Sequence, residues 1–336
     1  MSRNIVTRLV QLPIVLFVVS FLVFFSLRLG PGSPVDLATE TVRDPSEIER
    51  IRHDWGLDRP LYVQYVDYMV HVLSGDFGRS FSSNTPVSGT IAERLPATLE
   101  LTILAMILGS LFGIGLGIIS AVKENSAIDA LARIFALTGI SVPTFWLGLM
   151  MIGLFAVMLQ WLPVGGRFDA RMSIQKVTGF YVLDGLIARD PNAVWVALKH
   201  LAMPSTVLSL FVAGFIARIT RVTVLESLRN DYIRTARAKG LRERFIIIRH
   251  ALPNALLPIV TIMGLQFGNL LGGAAVTETV FSYPGLGKLL LDSISMHDFT
   301  QVQASILLMS AIYVLINLIV DLLYAYIDPR IRLRRD

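Results

Sequence analysis

Few side chains in this 336-residue chain are equipped for covalent chemistry, and those few are poorly spaced for it. There is no cysteine, which removes a thiol nucleophile, a disulfide framework and a thiolate metal site. The five histidines, His53, His71, His200, His250 and His297, lack metal-ligand spacing, and no His-Glu-x-x-His occurs. No Gly-x-x-x-x-Gly-Lys-Ser/Thr loop is present to cradle a nucleotide phosphate. Carboxylates are nearly absent from the apolar runs, with Glu100 and Asp321 near run ends, so a relay of intramembrane proton carriers is not evident. An ion-coupled secondary transporter is disfavoured on that ground. No catalytic, cofactor-binding or metal residue is assigned. What remains is non-covalent. Ser209, Thr220, Gln266 and Asn269 are polar residues set into apolar runs, candidates for lining a path and equally for packing helices.

The most informative soluble stretch runs from Asp231 to Pro253. Asp231 stands near a helix start, where an anion is favoured. Tyr232, Ile233 and Ala236 share one face of that helix, while Arg234 and Arg237 point elsewhere, and Thr235 lies between. Gly240 stops the helix, and Leu241 and Phe245 form an apolar i,i+4 pair. His250 and Pro253 close the segment. On residue types alone three readings stay open: a basic loop that sets topology, a basic helix on anionic lipid, or a docking element for a cytoplasmic partner.

The elements that must position these residues are membrane spans. Only 16% of the chain is charged, against about 25% in soluble domains, and 54% is hydrophobic. Apolar runs at about 9–27, 99–122, 131–159, 201–224, 255–276 and 302–327 predict six transmembrane helices of an all-α polytopic membrane protein. The run at 9–27 is longer than a signal-peptide core and lacks a small-x-small cleavage site, so a retained span is expected. Gly109, Gly113 and Gly117 recur every fourth residue and predict close helix approach. Ser141-Val142-Pro143 predicts a kink in the third span.

The expected organisation is residues 1–30 as N-terminus and first span, 31–98 as a small extracytoplasmic lobe, 99–330 as a five-helix core, and 331–336 as a tail. The lobe is expected to have short helices around 45–53 and 62–73 and a core of Trp55, Tyr62, Tyr65 and Phe77. The formal net charge of +5 follows from topology. Basic residues concentrate at the N-terminus, the 123–130 turn, the 225–254 segment and the C-terminus, so the positive-inside rule puts both termini in the cytoplasm and the long loops outside.

Several islands then carry a family likeness across nearly the whole chain. Leu29-Gly30-Pro31-Gly32-Ser33-Pro34, Leu57-Asp58-Arg59-Pro60, Gly75-Asp76-Phe77-Gly78-Arg79-Ser80, Leu95-Pro96-Ala97-Thr98-Leu99-Glu100-Leu101 and Ser141-Val142-Pro143-Thr144-Phe145-Trp146 occur in order. Arg234-Thr235-Ala236 followed by Gly240 resembles a cytoplasmic loop that elsewhere begins Glu-Ala-Ala; here the leading acid and first alanine are replaced. Glu278-Thr279-Val280-Phe281-Ser282-Tyr283-Pro284-Gly285-Leu286-Gly287 resembles the external segment after the fifth span. The chain resembles the first inner-membrane permease subunit of the dipeptide, oligopeptide and nickel ATP-binding-cassette importers.

The resemblance implies a type I importer permease fold in a bacterial inner membrane, and no enzyme activity in this chain. ATP and Mg would be used by two ATPase subunits. A homologous second permease and an extracytoplasmic substrate-binding protein would complete the complex, and no nucleic acid is implied. Within 229–253, Asp231, Tyr232, Ile233, Arg234, Thr235, Ala236, Gly240, Leu241, His250 and Pro253 would form the ATPase-coupling segment, its apolar residues entering a groove on the ATPase. Glu278, Phe281, Pro284, Gly285 and Gly287 would form an external gate. Short peptides are the expected substrate, with nickel, a nickel chelate or glutathione as alternatives.

Overall fold

The computed structural model describes residues 2–29, 46, 49, 53, 58–169, 171–172 and 174–327. Trp55, most of the expected 45–53 helix, and 328–336 lie outside them. The regular structure among the described residues is helical, with one isolated antiparallel bridge between Arg79 and Pro86.

The helices are α1 (Ser2–Leu29), α2 (Leu61–Leu73), α3 (Val87–Val122), α4 (Ala127–Ser141), α5 (Thr144–Met151), α6 (Tyr181–Ile187), α7 (Pro191–Leu228), α8 (Asp231–Ala238), α9 (Glu243–Ile246), α10 (Leu252–Val280), α11 (Leu286–Ser295) and α12 (Phe299–Ile327). π-helical turns extend α5 over Ile152–Met158 and bridge α9 to α10 over Ile247–Ala251. Five helices are long and apolar enough to cross a membrane, and α4 with α5 makes a sixth if counted as one broken span. The two halves meet at 101°. Val142 is extended and Pro143 follows it, which takes the backbone out of the helix at the expected kink.

Several helices extend beyond their apolar runs. α3 begins at Val87, twelve residues before the run at 99. α7 begins at Pro191, inside a stretch whose polarity reads as loop. There Asp190 caps the helix, accepting from the amides of Asn192 (3.0 Å) and Ala193 (3.1 Å), and Pro191 supplies a ready-made first turn.

The core is the contact of α3 with α7. Each of Gly109, Gly113 and Gly117 lies against α7, where a Cβ would come within 2.8, 2.8 and 2.5 Å of Val212, Ile216 and Thr220 respectively. The four-residue glycine spacing thus brings the two backbones together, as expected. α10 packs beside this pair, and α12 bridges α10 to α1. The outward side of α1, with Ile14, Phe17, Val18, Phe21 and Leu22, is exposed and apolar apart from Ser26, as a lipid-facing surface requires.

The expected lobe core divides. Tyr65 on α2 is buried against Phe17, Phe21, Phe24 and Phe25 of α1, and its hydroxyl meets Ser20 Oγ at 2.9 Å. Phe77 packs with Val87 and Leu286 in a separate cluster. Tyr62 is 70% exposed and belongs to neither. The helix expected at 62–73 is thus present, but it leans on the first span.

Candidate functional site

Two regions bring the singled-out residues together. The first is the connection between α7 and α10. Asn230 precedes α8, and Asp231 provides the anion in its first turn. α8 ends at Ala238, and the amides of Gly240 and Leu241 bond back to the carbonyls of Arg237 (2.9 Å) and Ala236 (3.4 Å). Gly240 has φ +75°, a conformation costly for any side chain with a Cβ, while the space a Cβ would enter is open. Arg237 and Glu243 clasp the turn at 2.5 Å.

The face α8 offers outward differs from the sequence expectation. Ile233 is fully buried and Ala236 nearly so; they pack with Ile246, Ala251 and Leu228 of the same chain. They hold α8 down and are unavailable to a groove on another protein. The outward side carries Arg234, Arg242, Leu241 and Phe245, with Tyr232 at its edge. Tyr232 also ties the segment to both spans: its hydroxyl meets Ser227 Oγ at 2.6 Å and accepts from Asn254 Nδ2 at 3.0 Å, while Ser227 Oγ donates to the Ala251 carbonyl at 3.0 Å. The His250 ring stands edge-on to Phe245 at 5.7 Å, and Pro253 stands at the start of α10, directly after the π-helical turn.

The second region is at the other end of α3 and α10. Glu278 is fully buried in the last turn of α10. It accepts from Thr98 Oγ1 (2.6 Å) and from the Lys288 amide (2.8 Å), so it caps α11, and Thr98 Oγ1 accepts from the Leu286 amide (2.7 Å). Gly285 is needed because a Cβ would overlap the Glu278 carboxylate, and Gly287 because one would strike the Ala275 backbone. Phe281 is buried, its carbonyl accepting from Gly166 at 2.9 Å, and Pro284 is half-buried beside it. The motif is therefore a knot joining α3, α10, α11 and the 163–179 loop.

Three buried polar clusters escaped the sequence reading. Glu100 receives Arg167 at 2.8 Å and the Val182 amide at 2.8 Å, with the Arg167 guanidinium 4.0 Å above the Tyr181 ring. Asp298 accepts from Ser82 Oγ (3.0 Å), the Phe81 amide (3.2 Å) and Ser80 Oγ, tying the 79–84 turn to α12. Asp129 holds Arg221 through two bonds, of 2.7 and 2.8 Å, and accepts from Ser120 Oγ at 2.5 Å. With Glu278, these place buried carboxylates at Glu100 near a run end and at Asp129, Glu278 and Asp298 just outside the apolar runs, whose interiors hold almost none. Arg221 interrupting an apolar run was the available signal, since an embedded arginine needs a counter-charge.

Of the four path candidates, Ser209 and Thr220 are buried at the α3–α7 contact, where Ser209 Oγ donates to the Thr206 carbonyl. Gln266 is buried too. Asn269 is exposed on α10, in a stripe with Thr261, Leu265, Gly272 and Val276, and a Cβ at Gly272 would meet open space.

Residues 113–333 match the family model described as binding-protein-dependent transport system inner membrane component. Residues 1–102 match that of its N-terminal portion. The chain belongs to this family. It is the membrane component of such a system, a permease and not an ATPase. It is 45% identical over 97% of its length to the dipeptide transport system permease protein DppB of Alkalihalophilus pseudofirmus, covering 98% of that protein. It is 46% identical over 93% to the probable D,D-dipeptide transport system permease protein DdpB of Escherichia coli, covering 92% of it. It is 43% identical over 99% to the glutathione transport system permease protein GsiC of Salmonella typhimurium, covering 99% of it. Among solved structures, a chain of the inward-facing MetNI methionine ABC transporter shares the fold, with TM-score 0.54 and 19% identity over 69% of this chain and 93% of that one. No group of three or more His, Asp or Glu side chains fit to hold a metal occurs among the described residues.

Proposed function

We propose that this permease carries short peptides across a bacterial inner membrane. It would do so as one of two homologous membrane subunits driven by two cytoplasmic ATPases, which use ATP and Mg, and supplied by an external binding protein. The observation that carries the substrate is the shared chemistry of the relatives: dipeptides, di/tripeptides, D,D-dipeptides and glutathione are all short peptides or peptide-like. Glutathione is the second reading, favoured by 43% identity over 99% of the chain.

In this reading α8 and its Gly240 turn dock on an ATPase through Arg234, Leu241, Phe245 and the edge of Tyr232. The hydrogen bonds from Tyr232 and Ser227 to the start of α10 then carry ATPase closure into α7 and α10 together. The peptide path runs along the open stripe of α10 around Asn269 and Gly272, completed by the second permease. Ser209 and Thr220 act in helix packing. The chain crosses six times with both termini inside, residues 31–98 and the Glu278 knot lie outside, and that knot holds the outer end of the path.

The test is uptake by the reconstituted complex with its binding protein, comparing dipeptides, tripeptides, glutathione and nickel. ATP-dependent uptake of dipeptides with none of glutathione is expected. Uptake of glutathione alone selects the second reading, and uptake of nickel alone overturns both. Reporter fusions after Asp76, after Lys176 and at the C-terminus test the orientation; a cytoplasmic reporter at either loop contradicts it.

A further inference from the structure

A cleft of about 360 Å³ opens between α3, α4 and α7 near the ends that lead to the 123–126 turn and to α8. Its floor is made by small residues, Gly117, Ala132, Ala136 and Ala217, which leave a trough where larger side chains would fill the space between helices. Leu116 and Ile140 continue the trough as apolar wall. Arg133, Arg218 and Arg221 stand along it, and no carboxylate lines it. Asp129 engages Arg221 and approaches Arg133 at 3.6 Å, and the nearby Glu124 is taken by Arg229 at 2.7 Å. Arg218 is exposed and makes no hydrogen bond or ion pair among the described residues. Two of the three guanidinium groups therefore share one carboxylate, and the third, that of Arg218, has none, beside an apolar trough.

We infer that this cleft binds an anionic phospholipid, its phosphate held by Arg218 with Arg133 and its acyl chain lying in the trough. Depth supports this occupant. α7 has 38 residues and is about 57 Å long, so it exceeds a hydrocarbon core of about 30 Å by roughly 13 Å at each end if centred. Arg221 and Arg218 lie about 10 and 15 Å from the end of α7, at the border where phosphates sit. A basic pocket between helices with apolar walls matches a lipid headgroup better than a water-soluble anion, which gains nothing from the trough. The position on the cytoplasmic leaflet rests on the orientation proposed above. The binding itself does not, because a micelle has no sides.

The experiment measures retention of dioleoylphosphatidylglycerol against dioleoylphosphatidylcholine by the purified full complex, using native mass spectrometry and thermal melting in mixed micelles. Glycerol phosphate serves as a chainless control. Wild type is expected to retain and be stabilised by the anionic lipid and to ignore the other two. Arg218→Gln is expected to weaken its apparent affinity about tenfold, the loss of one charge-assisted contact to phosphate. Arg218→Lys should retain part of it. Val222→Trp, at an exposed position on the cleft wall, should block the trough with the arginines intact. Equal retention of both lipids, equal protection by glycerol phosphate, or unchanged binding in both Arg218→Gln and Val222→Trp overturns the inference. So does release of a partner subunit from the Arg218→Gln complex with lipid preference unchanged, which would make the cleft a protein interface.

Discussion

Replacing Asp129 by alanine is expected to destabilise the permease more than replacing Asp129 and Arg221 together. Asp129 is fully buried, and it receives both Nε and Nη2 of Arg221 together with Ser120 Oγ and the Asn125 amide. Removing the carboxylate strands a guanidinium whose side chain is only 20% exposed. Breaking a buried ion pair from one side costs about 3–5 kcal/mol. The residual exposure of Arg221 and the proximity of helix ends put this case at the low end, about 3 kcal/mol, roughly a hundredfold in the folded to unfolded ratio. Asp129→Asn keeps the shape and one acceptor and should lose less. In Asp129→Ala/Arg221→Met the stranded charge is gone and the apolar stem is kept, so most of the loss should return. The assay is a double-mutant cycle on the purified permease, with denaturation followed in one detergent for all variants. A coupling near zero, or a double variant no better than Asp129→Ala, refutes the reasoning. It would mean that water reaches Arg221 once Asp129 is removed.

Gly285→Ala should drive a methyl into the Glu278 carboxylate, which Thr98 and Lys288 hold in place, and cost about 1–3 kcal/mol by overpacking. Thermal melting reads it, and partial recovery in Gly285→Ala/Glu278→Asp separates a clash from backbone strain. Asp184, in the 160–190 loop region, is raised by burial but lowered further by hydrogen bonds from the Thr178 hydroxyl and amide and the Gly179 amide, so its folded value lies below the usual one. Its contribution is therefore fully present above the unfolded value of about 3.9 and is lost as pH falls through the folded value. Melting temperatures from pH 7 to pH 3 should drop more for wild type than for Asp184→Asn; parallel curves would remove Asp184 from the account. Gly240→Asn, tolerant of positive φ, should fold normally, while Gly240→Val should carry about 1–2 kcal/mol of strain in the turn. If the turn couples ATP use to uptake, Gly240→Val inserts but transports less per ATP hydrolysed in reconstituted complexes, and an unchanged ratio argues against coupling there.

The chain itself determined what is repeated or extended along it. Long apolar runs dictate spans because a bilayer leaves no partner for an exposed backbone. Glycine at 109, 113 and 117 of α3 dictates a close neighbour, and Pro143 dictates the break between α4 and α5. The ordered islands carried the family. Tertiary structure decided which side of each short element faces inward. Ile233 and Ala236 satisfy the same helical pattern whether they meet another protein or the chain's own Ile246 and Ala251, and only the return of α9 against α8 settles it. Polarity misled at the ends of α3 and α7, where caps and partners over a hundred residues away satisfy groups that read as loop in isolation. The ion pairs Glu100–Arg167 and Asp129–Arg221 join residues 67 and 92 positions apart, and nothing local marks such partners. Charge in a low-dielectric interior announces that a partner must exist; the packing of the helices chooses which one.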